Sequence, residues 1–287
     1  MVTCASLGEG NGAIGAIAQR IAPPERLPHP EECRRPLYLG MRLKARVDVD
    51  GLALRVRSAV RAEARYPLSR VSRVIASARV QWSAEALEAC LEAGIPVVIM
   101  APNGALLGSV QPACVRASRF SEDIDEFLDR PDWHDIYGNW LRAARMRILR
   151  EWRAARGAAG NPLGPGEYGE MVRKLVYGPA GAGPFEGETG VWRAALYALA
   201  SVALRGAGLQ PLSCGAGGTM LNLVEDLTRL LELRLRLEVH GEMQQALVGE
   251  AVVVKVFHAV SERLEVEAHR VLVSLARRVK QVLSEWH

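Results

Sequence analysis

The sequence predicts an α+β protein, with a small β-rich N-terminal domain followed by a larger all-α C-terminal domain. Three observations predict it. From Leu43 onward apolar and polar residues alternate with a period of two, broken by Asp-Gly and Asn-Gly pairs. Beyond about residue 116 the apolar residues recur instead at spacings of three and four, the period of a helix. The chain has 287 residues, 49% hydrophobic and 24% charged, which is material for one large core or two ordinary ones.

Residues 1–35 contain GEGNGAIGAIAQ and APPERLPHPEE, where Gly and Pro interrupt every run and no period holds. They read as a leader or flexible appendage. Residues 36–115 form the β-rich domain. Leu43, Ala45 and Val47 alternate with Lys44, Arg46 and Asp48, Asp50-Gly51 signals a turn, and Leu52, Leu54 and Val56 alternate with Arg55 and Arg57. Two antiparallel strands with one wet, basic face follow. RVIAS (residues 73–77) is a short strand. Ser83 caps a helix with the stripe Ala86, Leu87, Cys90 and Leu91, which Gly94 ends. IPVVIM (residues 95–100) is a buried strand, and Asn103-Gly104 turns the chain into ALLGSV.

Residues 116–287 form the α-helical domain. Tyr137, Leu141, Ala144, Ile148, Trp152 and Ala155 share one helical face, and residues 191–207 make another apolar helix. Leu264, Ala268, Leu272, Leu275, Val279, Val282 and Trp286 stripe a C-terminal helix. LELRLRLEVHG (residues 231–241) suits a strand as well as a helix, because leucine alternates strictly with charge. There is no internal repeat.

Composition narrows the function classes. The longest apolar run, AALYALASVAL, ends at Arg205 and falls short of the roughly 18 to 20 residues that span a bilayer. No basic segment leads into an apolar one near the start, so no secretory signal is expected. Cys4, Cys33, Cys90, Cys114 and Cys214 are scattered without paired spacing, which points away from zinc or disulfides and toward a reducing cytoplasm. Net charge is +4, and residues 36–115 carry ten basic against six acidic side chains. Basic residues are mostly arginine, with lysine only at Lys44, Lys174, Lys255 and Lys280. The helix near residues 138–157 holds Arg142, Arg145, Arg147, Arg150, Arg153 and Arg156 against a single Glu151. Such a helix is either a phosphate-tracking surface or a face paired with acids such as those of residues 123–135.

Motifs in order along the chain carry a resemblance. LYLGMRLKARVDVDGLALRVRS, YPLSRVSRVI and VQWSAEALEACLEAGIPVVIMAPNGALLGSV in the first half are followed by GEYGEMVRKLV, VWRAALYALASVALRGAGLQP, LNLVEDL and AHRVLVSLARRVKQVL. Over residues 36–287 this resembles the CRISPR-associated spacer-acquisition integrase family. The resemblance implies dimerisation through the β-rich domain and pairs of homodimers flanking a small ferredoxin-like subunit. It also implies insertion of short DNA duplexes into the CRISPR array by metal-dependent transesterification. A glutamate, a histidine and an aspartate would hold the divalent ion, since activating a 3′ hydroxyl at phosphorus needs a hard cation on anionic oxygens.

Carried over by position, those three ligands fall on Tyr168, Gly217 and Asn222. A neutral phenol, no side chain and an amide replace them, so a degenerate site with no metal is expected. No histidine lies between His134 and His240 to restore the second position. Tyr168 is expected to fill the ion cavity with its ring, its hydroxyl hydrogen-bonded. The fallback is Glu186 in PFEGETG, which with magnesium or manganese would keep the site alive. Glu225 and Asp226, adjacent on a helix and about 100° apart, read as solvated surface; His240, His258 and His269 read as surface or core residues.

The expected function is therefore a catalytically inactive, DNA-binding or structural subunit of a spacer-acquisition complex. Arg142, Arg145, Arg153, Arg173 and Lys174 would contact double-stranded or branched DNA. Partners would be a second copy, an active paralogue and the small ferredoxin-like subunit, with no membrane. The alternatives are an active metal-dependent integrase or endonuclease, and a scaffold that does not touch DNA.

Overall fold

The computed structural model describes residues 34–40, 44–102, 105–113, 118–160, 163–177, 190–210, 212–214, 220–239 and 250–286. The expected leader (apart from Arg34 and Arg35) and the Asn103-Gly104 turn lie outside them. The β-rich part comes first and the helical part second, as the two periods predict.

The alternating stretch folds as β2 (Ala45–Asp50) and β3 (Ala53–Ser58), antiparallel from Ala45↔Ser58 to Asp50↔Ala53. The connection is Gly51-Leu52, with Gly51 at φ 59°, the left-handed region that the tight reversal requires. One face carries Arg46, Asp48, Arg55 and Arg57, with Asp48 bonded to Arg57 and Arg46; Val47 and Leu54 are fully buried on the other. β4 (Ala64–Pro67) and β6 (Val80–Trp82), not foreseen from sequence, complete a sheet of order β4-β3-β2-β6.

A second sheet of order β1-β5-β7-β8 stacks on the first. It comprises β1 (Arg35–Leu39), β5 (Val71–Ser77), β7 (Val97–Met100) and β8 (Leu106–Val110), the first three parallel and the last antiparallel to β7. β1 was not foreseen either. β5 is buried on both faces, which fits the consecutive apolar residues Val74, Ile75 and Ala76 at its centre. Val74 and Ala76 pack toward the first sheet, while Ile75 packs toward the helices. α1 (Ala84–Glu92) starts where Ser83 Oγ accepts from the Ala86 N–H at 3.2 Å, and Gly94 ends it at φ 72°. It buries Ala86 and Cys90. Burial pushes the Cys90 thiol up to about 11, so this cysteine packs as an apolar residue rather than acting as a nucleophile.

The helical part contains α2 (Arg119–Leu128), α3 (Trp133–Ala158), α4 (Pro165–Leu175), α5 (Gly190–Gly206), α6 (Leu223–Val239) and α7 (Glu250–Trp286). A short antiparallel pair, β9 (Leu212–Cys214) and β10 (Met220–Asn222), leads into α6. α5 buries Ala194, Ala195, Leu196, Ala198, Leu199, Ala200 and Leu204, which leaves it little polar face. That fits its position between the second sheet and the other helices. Ile75, Val98 and Met100 of the sheet belong to the same core as these helices.

The alternating LELRLRLEV is helical. Arg234 pairs with Glu238 and Arg236 with Glu232, each four residues apart, so the charges run along the helix while Leu231, Leu235 and Leu237 are buried. On α3, Tyr137, Ala144, Ile148 and Trp152 are buried and Leu141 is half-buried, but Ala155 is exposed near the helix end. On α7 the predicted stripe is buried except Trp286, 51% exposed, whose ring lies 5.0 Å from the Arg130 guanidinium. Among the described residues no helix is long and apolar enough to cross a membrane.

Candidate functional site

α4 begins with Pro165 just after Gly164, a favoured first-turn position for a residue without an N–H. The Gly-x-x-Gly around Tyr168 is thus part of a helix start. None of its residues is fully buried; Met171, Val172 and Leu175 lean half-buried on the helical core. Tyr168 is half-buried too, and the Arg153 guanidinium stacks over its ring at 4.3 Å. Met146, Arg150, Ala154, Gly157 and Leu163 complete a cleft of about 490 Å3 around them. The expectation of a buried, hydrogen-bonded hydroxyl is corrected here: the ring is held by a cation, and no protein group bonds the hydroxyl among the described residues.

Asn222 ends β10 and immediately precedes α6. Its Oδ1 accepts the Glu225 N–H at 3.1 Å, so the side chain caps the helix. The two acids that follow are not solvated surface, contrary to the sequence reading. Glu225 binds Arg193 of α5 and Arg229, the latter at 2.9 Å. Asp226 accepts the Tyr137 hydroxyl of α3 at 3.1 Å, and burial lifts its carboxyl above the usual range. Burial, followed by the charge of Asp226, likewise lifts the Tyr137 phenol well above its ordinary value. The roughly 100° between neighbours sends one acid to α5 and the other to α3, where each finds a partner.

These residues do not fit a divalent cation. The phenol of Tyr168 lies beneath a positive guanidinium, and the amide oxygen of Asn222 is engaged by the helix it caps. Among the described residues no three His, Cys, Asp or Glu side chains converge. Gly217 and Glu186 lie outside the described residues.

The arginines of α3 divide into two groups. Arg147 binds Glu151 and the buried Glu267 of α7, and Arg145 donates to the Val176 carbonyl at 3.4 Å, tying down the end of α4. Among the described residues Arg142 bonds only the Asn139 amide oxygen, and Arg150 only the Met146 carbonyl. Arg153 and Arg156 lie over the rings of Tyr168 and Trp152. Among the acids of residues 123–135, Asp123 pairs with Arg119 and Asp132 with Arg130. Arg173 and Lys174 sit exposed in the last turn of α4. Sequence reasoning missed the inward roles of Arg193, Asp226 and Tyr137, because partners 32 and 89 residues apart leave no local pattern.

Residues 40–121 match the family model described as CRISPR associated protein Cas1. No curated protein matches the chain. Among solved structures, a Cas1 protein from Thermotoga maritima superposes with a TM-score of 0.62 at 12% identity, covering 85% of this chain and 96% of that one. A casposase bound to integration product gives 0.57 at 13%, covering 87% and 90%. The TtCas1–DNA complex gives 0.50 at 17%, covering 84% and 91%. Identities this low speak for the fold alone. The two-sheet part feeding a helical bundle superposes on these structures over most of the chain. Residues 40–121 thus carry the Cas1 sequence signature, and most of the chain has the fold of Cas1 proteins.

Proposed function

We propose that this chain is a catalytically inactive Cas1 subunit that contributes DNA-binding and structural surface to a spacer-acquisition complex. One observation carries the reading. The positions aligned with two of the family's metal ligands have other work: Asn222 caps α6, and Tyr168 supports the Arg153 guanidinium. A cation beside the aligned glutamate position opposes a second cation there.

The DNA-binding half rests on Arg142, Arg150 and Arg153, exposed on α3 without a carboxylate partner among the described residues, and on Arg173 and Lys174, exposed in the last turn of α4. It is also supported by relatives of this fold captured on DNA and on an integration product. Assembly would follow the family: a homodimer through the β-rich domain, an active paralogue and the small ferredoxin-like subunit. The second reading, a scaffold indifferent to DNA, is favoured by the engagement of Arg145 and Arg147 within the protein.

The test is strand transfer and cleavage on branched and array-like DNA with magnesium and with manganese, alongside gel-shift binding. Binding without chemistry is expected, and Arg142→Ala should lower the slope of log affinity against log salt by about 1. Salt-independent or absent binding would favour the scaffold. Strand transfer abolished by Glu186→Ala would show a live site and defeat the proposal.

A further inference from the structure

A groove between the second sheet, α2, α5 and α7 takes no part in the site described above. It encloses about 430 Å3, within the roughly 300–1,000 Å3 of pockets that hold specific ligands. Phe120, Leu199, Ala203 and Leu272 give it an apolar wall. Arg73 of β5 also lines it, although the residue is only 1% exposed and is among the largest fully buried side chains of the protein.

Arg73 is under-partnered. Its Nη1 donates to Glu265 Oε1 at 3.0 Å, and Glu265 stands at the groove with its own side chain 55% exposed. Nε and Nη2 are shielded from solvent and donate to nothing among the described residues. A buried guanidinium with one half-solvated carboxylate and the Phe257 ring at 5.9 Å is incompletely compensated, because a ring face takes no hydrogen bond from Nε or Nη2 in its plane. The two idle N–H groups are neighbours on one edge of the planar fork, the edge that takes a carboxylate through two parallel bonds.

We propose that this groove receives the C-terminal residue of a partner polypeptide. An apolar side chain would lie against Leu199 and Leu272, with the terminal carboxylate on Nε and Nη2 of Arg73. The lining selects this chemistry. Nucleic acid offers phosphate without an apolar group, and the Glu265 carboxylate at the groove repels a polyanion, whereas a chain end carries one charge beside one apolar side chain. Both donors are covered in the free protein, where the Phe257 ring lies 5.9 Å from the guanidinium, so the side chains around the fork must shift for the terminus to reach them.

The probe is acetyl-Gly-Gly-Ser-Ala-Leu with a free carboxylate, titrated calorimetrically into the full-length protein beside the same peptide as its C-terminal amide. Saturable binding of the acid is expected, with the amide about tenfold weaker or worse, the scale of a lost pair of charge-assisted bonds. Arg73→Lys should weaken the acid similarly, and Glu265→Gln should strengthen it by removing a competing carboxylate. Ala203→Trp, which fills the groove without touching the fork, should abolish binding and covers the case in which the Arg73 variant does not fold. Equal affinity for acid and amide, no saturable binding by the unaltered protein, or equal binding of inorganic phosphate would overturn the proposal.

Discussion

Asn222 shows how one side chain can carry a structural role at a position that the family resemblance assigns to chemistry. Its oxygen satisfies one of the N–H groups that the first turn of α6 would otherwise leave bare. Asn222→Ala should therefore cost about 1 kcal/mol in denaturant melts. Asn222→Asp should keep the cap and the stability yet restore no strand transfer with magnesium or manganese, because Tyr168 and Arg153 remain. Asp226 yields a pH test. Its folded carboxyl holds its proton more tightly than the unfolded one, so stability falls as pH rises through the window above the ordinary aspartate value and is level beyond it. Asp226→Asn removes that loss. The stability difference in favour of the variant should grow as pH climbs from about 4 toward neutrality, and a constant difference would refute the burial argument.

At the scale of elements, the junction between α5 and α2 is a close one. Ser118 Oγ accepts the Ser121 N–H at 3.1 Å, capping α2, and donates to the Ala207 carbonyl at 3.0 Å at the end of α5. Gly208 closes α5 at φ 72°, and a Cβ there would lie 2.5 Å from Ser118 Cβ. Gly208→Ala therefore combines left-handed strain with overlap and should cost roughly 2 kcal/mol or more in thermal or urea melts. Gly94 has the same φ, but a Cβ there would meet only the movable guanidinium of Arg205. Its alanine variant should lose less, about 1 kcal/mol.

Across the whole molecule, two parts with different periods share a core. Ile75, Val98 and Met100 pack with α5, and Arg73 reaches α7 through Glu265. The β-rich and helical parts should consequently unfold together in one calorimetric transition. Two separated transitions would show that the shared core couples them weakly. The arginine face of α3 acts at this scale too. Glu151 and Glu267 draw Arg147, Arg234 and Arg270 into an ion-pair network joining α3, α6 and α7, and so divide the cations of α3 between framework and surface.

What the sequence determined by itself is what local periodicity and capping encode. The β2–β3 hairpin, the Ser83 cap, the buried β7 and the striped faces of α3 and α7 all depend on neighbours within a few positions, so they were legible in the chain. The tertiary structure decided the rest. It paired β1 with β5 across 36 positions, Arg35↔Val71. It turned the alternating leucines into a helix through packing and pairs four residues apart. It placed Arg153 on Tyr168, Asp226 on Tyr137 and Arg73 beneath a groove. The physical reason is common to all of these: burial and charge pairing over long sequence separation depend on where the fold brings distant side chains, and no local pattern records that.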